Sequence, residues 1–346
     1  MTDYQALNDS LLRNQNIYPE AFHTTDFWEY AANELAQSLH KDEIKNFRNH
    51  PSCLSFFVPT YGAPGNGLTE QMIQSIIPLF TDSSAKQQQQ IDNLLNGYEA
   101  AKADHRLILA LEDALNIDEF KQFTESACGN PKEQFAFEER VVSRASQNYI
   151  LGLLFYYLNT KNFNFKNIVE IGGGFGSLGE ILGKSHIPIK TYINFDIPPT
   201  CLFADYYLSN TVPYKYTKLT STTWERNTDI NSLDGLYARP NYDALNLEGE
   251  IDLVVNYHSF QEMEPHVVKA YINKINEWET KYLLLRNIRE GKQLKTVSTA
   301  GVVTPIKTDD YLTWLKNYEL INSSALVFGN ITADNFHSEL MLLKRC

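Results

Sequence analysis

Residues 168–179 combine one acidic side chain, a cluster of glycines and a run of apolar residues, in the order IVEIGGGFGSLG. The apolar residues around the glutamate predict a buried strand. The glycines that follow predict a sharp turn whose backbone approaches a ligand closely, and a helix starting near Gly176 would direct free N–H groups at that ligand. Glu170 interrupts the apolar pattern. Because an unpaired buried carboxylate is costly, we expect Glu170 to face a cationic group of the ligand.

Two cofactors match this pattern of residues. Gly174, Gly176 and Gly179 have the spacing of the dinucleotide fingerprint, and Asp196, at the end of the next predicted strand, would bind ribose hydroxyls in either case. A dinucleotide turn does not need Glu170, whereas the methionyl end of S-adenosylmethionine carries an ammonium group and a sulfonium. About 170 residues follow the motif, which leaves little room for the catalytic domain of a dehydrogenase. The residues therefore favour S-adenosylmethionine over NAD.

The elements that position this motif divide the chain into two predicted parts, 1–160 and 161–346. The first part is predicted to be helical, with helices at 24–39, 86–115 and 133–158 and a short one before Pro51. In the second part strands alternate with helices, which predicts an α/β fold with a parallel sheet. The predicted strands are 168–171, 191–195, 214–219, 251–256, 282–286, 319–328 and 338–343, and the predicted helices are 176–184, 200–209, 261–278 and 309–317. The last two strands predict an antiparallel hairpin, and 221–249 is predicted to be an irregular insertion.

Composition excludes several classes of partner. The formal net charge is −12, and no block of Lys and Arg offers a surface for nucleic acid. No apolar run approaches the roughly 20 residues of a membrane span, and the first residues do not resemble a signal peptide. The four cysteines are scattered and lack metal-ligand spacing, which is typical of a reducing cytoplasm. We therefore expect a cytoplasmic protein without a metal, and we leave homo-oligomerisation open.

Three stretches carry a resemblance to known enzymes. Residues 169–176 resemble motif I of the class I S-adenosylmethionine-dependent methyltransferases. Together with 195–209 and 252–263 they resemble a bacterial sugar O-methyltransferase family, whose members often belong to surface-polysaccharide biosynthesis pathways. The resemblance covers about 135–345, and it is specific at 252–263 and general elsewhere.

The resemblance implies a class I methyltransferase fold, which is Rossmann-like, with seven strands of which the last is antiparallel. It implies that Glu170 and the backbone of Gly172 and Gly174 hold the methionyl part and that Asp196 holds the ribose. An adenine contact is expected near 221–224, although no acidic residue is present there. The full predicted cofactor set is Glu170, Gly172, Gly173, Gly174, Gly176, Asp196, Ile197 and Asn256.

The acceptor side is predicted to follow the fourth strand, because ligands of open α/β sheets lie outside the carboxyl ends of the strands. His258 is the predicted general base, with Glu262 as a second catalytic candidate. Ser259 is a predicted substrate contact, with a helix N-cap as the alternative. Arg239 and Arg286 are predicted to bind a carboxylate or a nucleotide diphosphate, although an internal ion pair explains each equally well.

The leading hypothesis is therefore an S-adenosylmethionine-dependent O-methyltransferase that acts on a sugar or a sugar nucleotide, with residues 1–160 covering the acceptor site. A methyltransferase of a natural-product pathway, an NAD-dependent oxidoreductase and a non-catalytic relative remain as alternatives.

Overall fold

A computed structural model of the protein describes residues 3–40, 43–50, 75–80, 84–296, 301–331 and 335–346. The helices are α1 (Tyr4–Gln15), α2 (Asp26–Gln37), α3 (Ala85–Leu95), α4 (Tyr98–Leu115), α5 (Arg144–Thr160), α6 (Ser177–Lys184), α7 (Thr200–Thr211), α8 (Pro265–Glu277) and α9 (Thr308–Trp314). The strands are β1 (Gln134–Phe137), β2 (Arg140–Ser143), β3 (Asn167–Ile171), β4 (Thr191–Asp196), β5 (Tyr216–Thr217), β6 (Thr228–Asp229), β7 (Gly235–Pro240), β8 (Leu247–Glu248), β9 (Leu253–Tyr257), β10 (Tyr282–Ile288), β11 (Tyr318–Ser324), β12 (Asn330–Ile331) and β13 (His337–Arg345).

Seven strands of the central sheet lie in the order β7-β4-β3-β9-β10-β13-β11, with β5 beside β7 and β12 beside β13. Neighbouring strands from β7 to β10 are parallel. Strand β13 is antiparallel to both β10 and β11. This order, with its single antiparallel strand, is the class I methyltransferase fold, so the predicted fold class is confirmed.

Strands β3 and β9 are buried along their whole length because helices cover both faces of the sheet. One face packs against α5, α6 and α7, and the other face packs against α8 and α9. At the shared edge where β3, β4 and β9 end, their final residues Ile171, Asp196 and Tyr257 are followed by the segments that form the candidate site.

The N-terminal helices pack directly onto the α/β part of the chain. One hydrophobic cluster contains Leu11, Leu35 and Ile108 together with residues of α6 and α7. A buried ion cluster adds to this contact, because the Arg48 guanidinium lies 2.6 Å from Glu125 and 4.8 Å from the centre of the Phe175 ring. The N-terminal region is thereby held against the residue that follows the glycine turn.

Several predicted elements differ from the structure. A single helix over 86–115 is wrong, because Gly97 has a φ of +83° and separates α3 from α4. The helix predicted from 133 starts only at Arg144, since the residues before it form the β1–β2 hairpin. The stretch 221–249, predicted to be irregular, contains β7 of the main sheet, whereas 214–219 contains only the two-residue strand β5. The stretch 59–67, whose prolines and glycines predict a loop, lies outside the described residues.

Candidate functional site

A cleft opens at the carboxyl edge of β3, β4 and β9. Its lining residues form two groups. The glycine wall follows β3 and β4 and consists of Gly172, Gly173, Gly174, Phe175, Ser177, Asp196, Ile197 and Thr200. The aromatic wall comes from the N-terminal region and the end of β9 and consists of Trp28, Ala145, Asn148, Tyr149, Tyr257, His258, Ser259, Glu262 and Met263.

The glycine turn requires glycine for two separate reasons. Gly172 and Gly174 have φ values of +71° and +59°, in the left-handed region that other residues rarely adopt. A Cβ on Gly172 would also lie 2.1 Å from the Ser259 hydroxyl oxygen. The segment that follows β9 therefore packs against the turn at a distance that only glycine allows.

Asp196 ends β4 and faces the cleft. Its carboxylate accepts hydrogen bonds from the backbone N–H of Gly174 at 2.8 Å and of Ile197 at 2.7 Å. Burial raises the pKa of Asp196 to about 7, although both hydrogen bonds favour the charged form. The predicted residues Asp196 and Ile197 thus lie together in the glycine wall.

Glu170 lies beneath the glycine turn and does not line the cleft. Its side chain is fully buried, and a Cβ on Gly173 would lie 2.4 Å from its Oε2 atom. Oε2 accepts a hydrogen bond from the Tyr192 hydroxyl. Burial raises the pKa of Glu170 to about 7, and the nearby hydroxyls of Tyr149 and Tyr192 offset part of this effect. Oε1 has no partner with hydrogen-bond geometry among the described residues.

His258 lies on the cleft wall directly after β9. Its φ is +63°, an uncommon conformation for a residue other than glycine, and its backbone N–H donates to the carbonyl of Arg286 at 2.7 Å. Burial, followed by the charges of Arg286 and Lys292, lowers the pKa of His258 to about 3. The imidazole is therefore neutral near pH 7 and offers one nitrogen as a hydrogen-bond acceptor.

Glu262 also lines the cleft, in the short 3₁₀ helix Phe260–Glu262. Its Oε1 accepts a hydrogen bond from the Lys292 ammonium at 2.7 Å. The same ammonium lies 5.3 Å from the centre of the Phe27 ring in α2. Glu262 is thus half of an ion pair that connects the β9 loop to the N-terminal region.

Asn256 and Ser259 stabilise the glycine turn through hydrogen bonds. The Asn256 amide donates to the Ile171 carbonyl at 2.9 Å and to the Ser259 hydroxyl at 2.5 Å. The Ser259 hydroxyl donates to the same carbonyl at 3.1 Å. Asn256 does not line the cleft. Ser259 does line it, but its hydroxyl is already hydrogen-bonded to Asn256 and to the Ile171 carbonyl. Gly176 likewise lies outside the lining residues, where it precedes α6 and packs against Leu208.

The two predicted substrate arginines are buried away from the cleft. Arg239 pairs with Asp243 at 2.6 Å and its guanidinium lies 5.0 Å from the centre of the Trp224 ring. Arg286 donates to the Phe328 carbonyl at 2.5 Å and lies 5.3 Å from the centre of the Tyr257 ring. Neither guanidinium reaches a ligand in the cleft because each one is held by contacts within the protein.

Sequence reasoning missed most of the aromatic wall. Tyr149 and Tyr257 stack face to face, with ring centres 4.8 Å apart, and Trp28 adds an indole from α2. A Ser143–Ser146 capping box marks the start of α5 and was readable in the sequence. No local pattern, however, indicates that Tyr149 or Trp28 faces the site.

Two hydroxyls of the glycine wall were also missed. Ser177 and Thr200 are 3% and 2% exposed, and their hydroxyl oxygens have no hydrogen-bond partner among the described residues. Both residues follow a strand end by a few positions, which is the signal that could have identified them. Both hydroxyls line the cleft, so they can form hydrogen bonds with a ligand bound there.

Metal-ligand clusters and membrane-spanning helices are both absent from the described residues. The described ranges contain no group of three or more His, Cys, Asp or Glu side chains arranged for a metal ion. None of the described helices is both long enough and apolar enough to span a membrane.

Comparison with known proteins yields only distant matches. No protein-family model matches the chain, and no curated protein matches it significantly. Magnesium protoporphyrin IX methyltransferase from Synechocystis PCC 6803 with bound SAH is 14% identical, with a TM-score of 0.40 over 59% of this chain and 84% of that chain. EvdMO1 is 12% identical (TM-score 0.36, 62% of this chain and 44% of that chain). TehB from Haemophilus influenzae is 14% identical (TM-score 0.35, 56% and 62%). At these values the matches bear on neither activity nor substrate.

Proposed function

We propose that the protein is an S-adenosylmethionine-dependent methyltransferase that transfers the methyl group to a hydroxyl. The observation that carries the proposal is the hydrogen bonding of the glycine turn. Its N–H groups all donate to acceptors within the protein: Gly172 to the Phe195 carbonyl at 2.8 Å, Gly173 to the Asn194 side chain at 3.2 Å and Gly174 to Asp196 at 2.8 Å. A dinucleotide pyrophosphate needs such groups free. The Asp196 carboxylate lines the cleft beside the turn, and a carboxylate suits a cationic ligand.

The charge of the cleft supports the same choice of cofactor. The two ionisable acids in its walls are Asp196 and Glu262, and none of the described lining residues is Lys or Arg. Two like charges about 4 Å apart repel by about 4 kcal/mol at the dielectric typical of protein surfaces. A pyrophosphate would therefore be repelled, whereas the ammonium and sulfonium of S-adenosylmethionine would be attracted.

The buried hydroxyls of Ser177 and Thr200 show whether the cleft suits the polar groups of this cofactor. Ser177 and Thr200 flank the position where Asp196 would accept hydrogen bonds from ribose hydroxyls. A ligand with hydroxyl, amine and carboxylate groups would provide hydrogen-bond partners for both side chains. Glu170 would act from below the turn, where its charge favours a cationic group above Gly173.

The cofactor supplies an electrophilic methyl group on its sulfonium, and the chain has to position the acceptor oxygen. His258 is the residue best placed for this, because it follows β9 at the edge shared with the glycine turn. Its neutral imidazole would accept a hydrogen bond from the acceptor hydroxyl and then its proton as the new O–C bond forms. A pKa of about 3 makes His258 a weak base, so most of its effect is expected from orientation.

We further propose that the acceptor is a sugar hydroxyl and that residues 1–160 form the cover of its site. Trp28 supports this assignment, since α2 places an indole in the cleft that Met263 also lines. The same walls would accept a hydroxylated natural product, which is the second candidate.

Titration calorimetry with S-adenosylhomocysteine and, separately, with NAD tests the cofactor assignment. We expect micromolar binding of S-adenosylhomocysteine and no heat from NAD. The double variant Ser177→Ala/Thr200→Ala should weaken S-adenosylhomocysteine binding about 10-fold, because it removes two hydrogen bonds of roughly 0.5–1.5 kcal/mol each. Ser232→Ala, in a short turn away from the cleft, is the matched control. Binding of NAD in preference to S-adenosylhomocysteine would overturn the proposal.

A further inference from the structure

The acceptor-facing part of the cleft carries very little charge. Apart from Glu262, the aromatic wall consists of uncharged side chains, among them Trp28, Tyr149 and Met263. His258 belongs to this uncharged set near pH 7 because its pKa is lowered to about 3. The surface that meets the acceptor is therefore aromatic and hydrogen-bonding rather than ionic.

The cations closest to this wall are engaged elsewhere. Lys292 does not line the cleft, because it pairs with Glu262 and lies over the Phe27 ring. Arg286 is 1% exposed beneath Tyr257 and donates to the Phe328 carbonyl. Outside the described ranges the sequence contains a single basic residue, Lys41. A diphosphate or carboxylate on the acceptor would thus enter the cleft without a cationic partner among the described lining residues.

We infer that the acceptor is an uncharged glycoside, whose ring packs against Trp28 and Met263, and that sugar phosphates and nucleotide sugars are excluded. This inference rests on the proposed methyltransferase function and narrows its substrate class. An anion buried without a partner is strongly unfavourable. An apolar wall with a few polar groups, by contrast, is the usual lining of a site for a neutral ligand. Indole rings combine a large apolar face with one polar group, which suits a sugar ring.

The experiment compares one sugar in three forms. A panel of methyl hexosides is assayed beside the matching 1-phosphates and uridine-diphosphate derivatives, with methyl transfer detected by mass spectrometry. We expect the accepted methyl glycoside to exceed its phosphorylated forms by about 100-fold in kcat/KM. A phosphorylated form that is used equally well or better overturns the inference, and so does a panel in which no glycoside is methylated.

Two variants test the physical reason for the selectivity. Met263→Lys adds a cation to the aromatic wall and should shift the ratio of kcat/KM values toward the sugar phosphate by at least about 10-fold, whereas Met263→Leu should leave the ratio unchanged. Trp28→Ala should raise the KM for the glycoside and leave the S-adenosylhomocysteine Kd unchanged. Tyr30→Ala is its control, because Tyr30 is on the same helix but 70% exposed and outside the cleft. An unchanged ratio in Met263→Lys overturns the inference.

Calorimetry separates the failure of this inference from the failure of the proposed function. If S-adenosylhomocysteine binds and only phosphorylated sugars are methylated, the acceptor class is wrong and the methyltransferase assignment stands. If S-adenosylhomocysteine does not bind, both are wrong.

Discussion

The two walls of the cleft differ in how far apart their residues lie along the chain. The glycine wall comes from one continuous stretch, 172–200, which spans two successive strand ends. The aromatic wall combines residue 28, residues 145–149 and residues 257–263. A wall built from local sequence is readable as a motif, whereas a wall assembled by packing becomes visible only in the fold. The N–H groups of the glycine turn all donate to acceptors within the protein, while the aromatic wall is uncharged apart from Glu262.

The largest effect is expected from Gly174→Asp in the glycine wall. Gly174 has a φ of +59° and its N–H donates to Asp196, so the substitution adds a second carboxylate beside the first. We expect S-adenosylhomocysteine binding to weaken by at least about 100-fold, measured by calorimetry. Gly249→Asp is the control, because Gly249 also has a positive φ, +100°, and lies outside the cleft. Equal losses of binding in both variants would show that the effect is general destabilisation.

In the aromatic wall, His258→Asn should reduce turnover about 100-fold, as expected for loss of an oriented base. Asparagine tolerates the left-handed conformation of this residue better than alanine does, so the backbone should be preserved. The Kd of S-adenosylhomocysteine should change by less than about threefold, since His258 does not belong to the glycine wall. Near-normal turnover would remove His258 from the mechanism. His186→Asn, at an exposed histidine outside the cleft, provides the control.

The same contrast explains how much could be predicted from the sequence. The strand and turn at 168–176 were predicted correctly, because a short apolar run followed by consecutive glycines is compatible with few other local structures. Strand β7 was missed, since Tyr237, Arg239 and Pro240 do not resemble a strand of a parallel sheet. Trp28 and Tyr149 could not be assigned to the cleft, because tertiary packing alone brings α2 and α5 to the end of β9.

An intermediate effect is expected from pH, through the two acids around the glycine turn. The pKa values of Glu170 and Asp196 are both raised to about 7 by burial. The ammonium group of S-adenosylhomocysteine prefers the ionised acids, so binding should weaken as the pH falls from 8 to 6, by up to about tenfold per unit for each proton taken up. His258 contributes nothing in this range, because its pKa is lowered to about 3. Calorimetry at pH 6, 7 and 8 measures the dependence, and constant affinity would contradict it.

The variant Glu170→Gln is expected to change S-adenosylhomocysteine affinity and the free energy of unfolding in opposite directions. Between pH 4.5 and 7 the folded protein keeps a proton on Glu170 that the unfolded chain has released, so the free energy of unfolding falls as the pH rises. The ionised side chain therefore costs the fold about 3 kcal/mol above pH 7. The variant should unfold at a higher temperature than the wild type at pH 8 and at a similar temperature at pH 4.5, while its S-adenosylhomocysteine affinity at pH 8 should be about tenfold weaker. A melting difference that does not change with pH would contradict this account of Glu170.

The smallest effect on function is expected from Arg239→Lys, at a residue that sequence reasoning assigned to the substrate. A lysine would keep the charge opposite Asp243 but lose the bond from the guanidinium to the Thr222 carbonyl and the contact over Trp224. The melting temperature should fall by about 2–6 °C. Because Arg239 does not line the cleft, the acceptor KM and the Kd of S-adenosylhomocysteine should each change by less than about threefold. A large rise in KM at an unchanged melting temperature would move Arg239 from the structural framework into the acceptor site, and the aromatic wall would then include a cation.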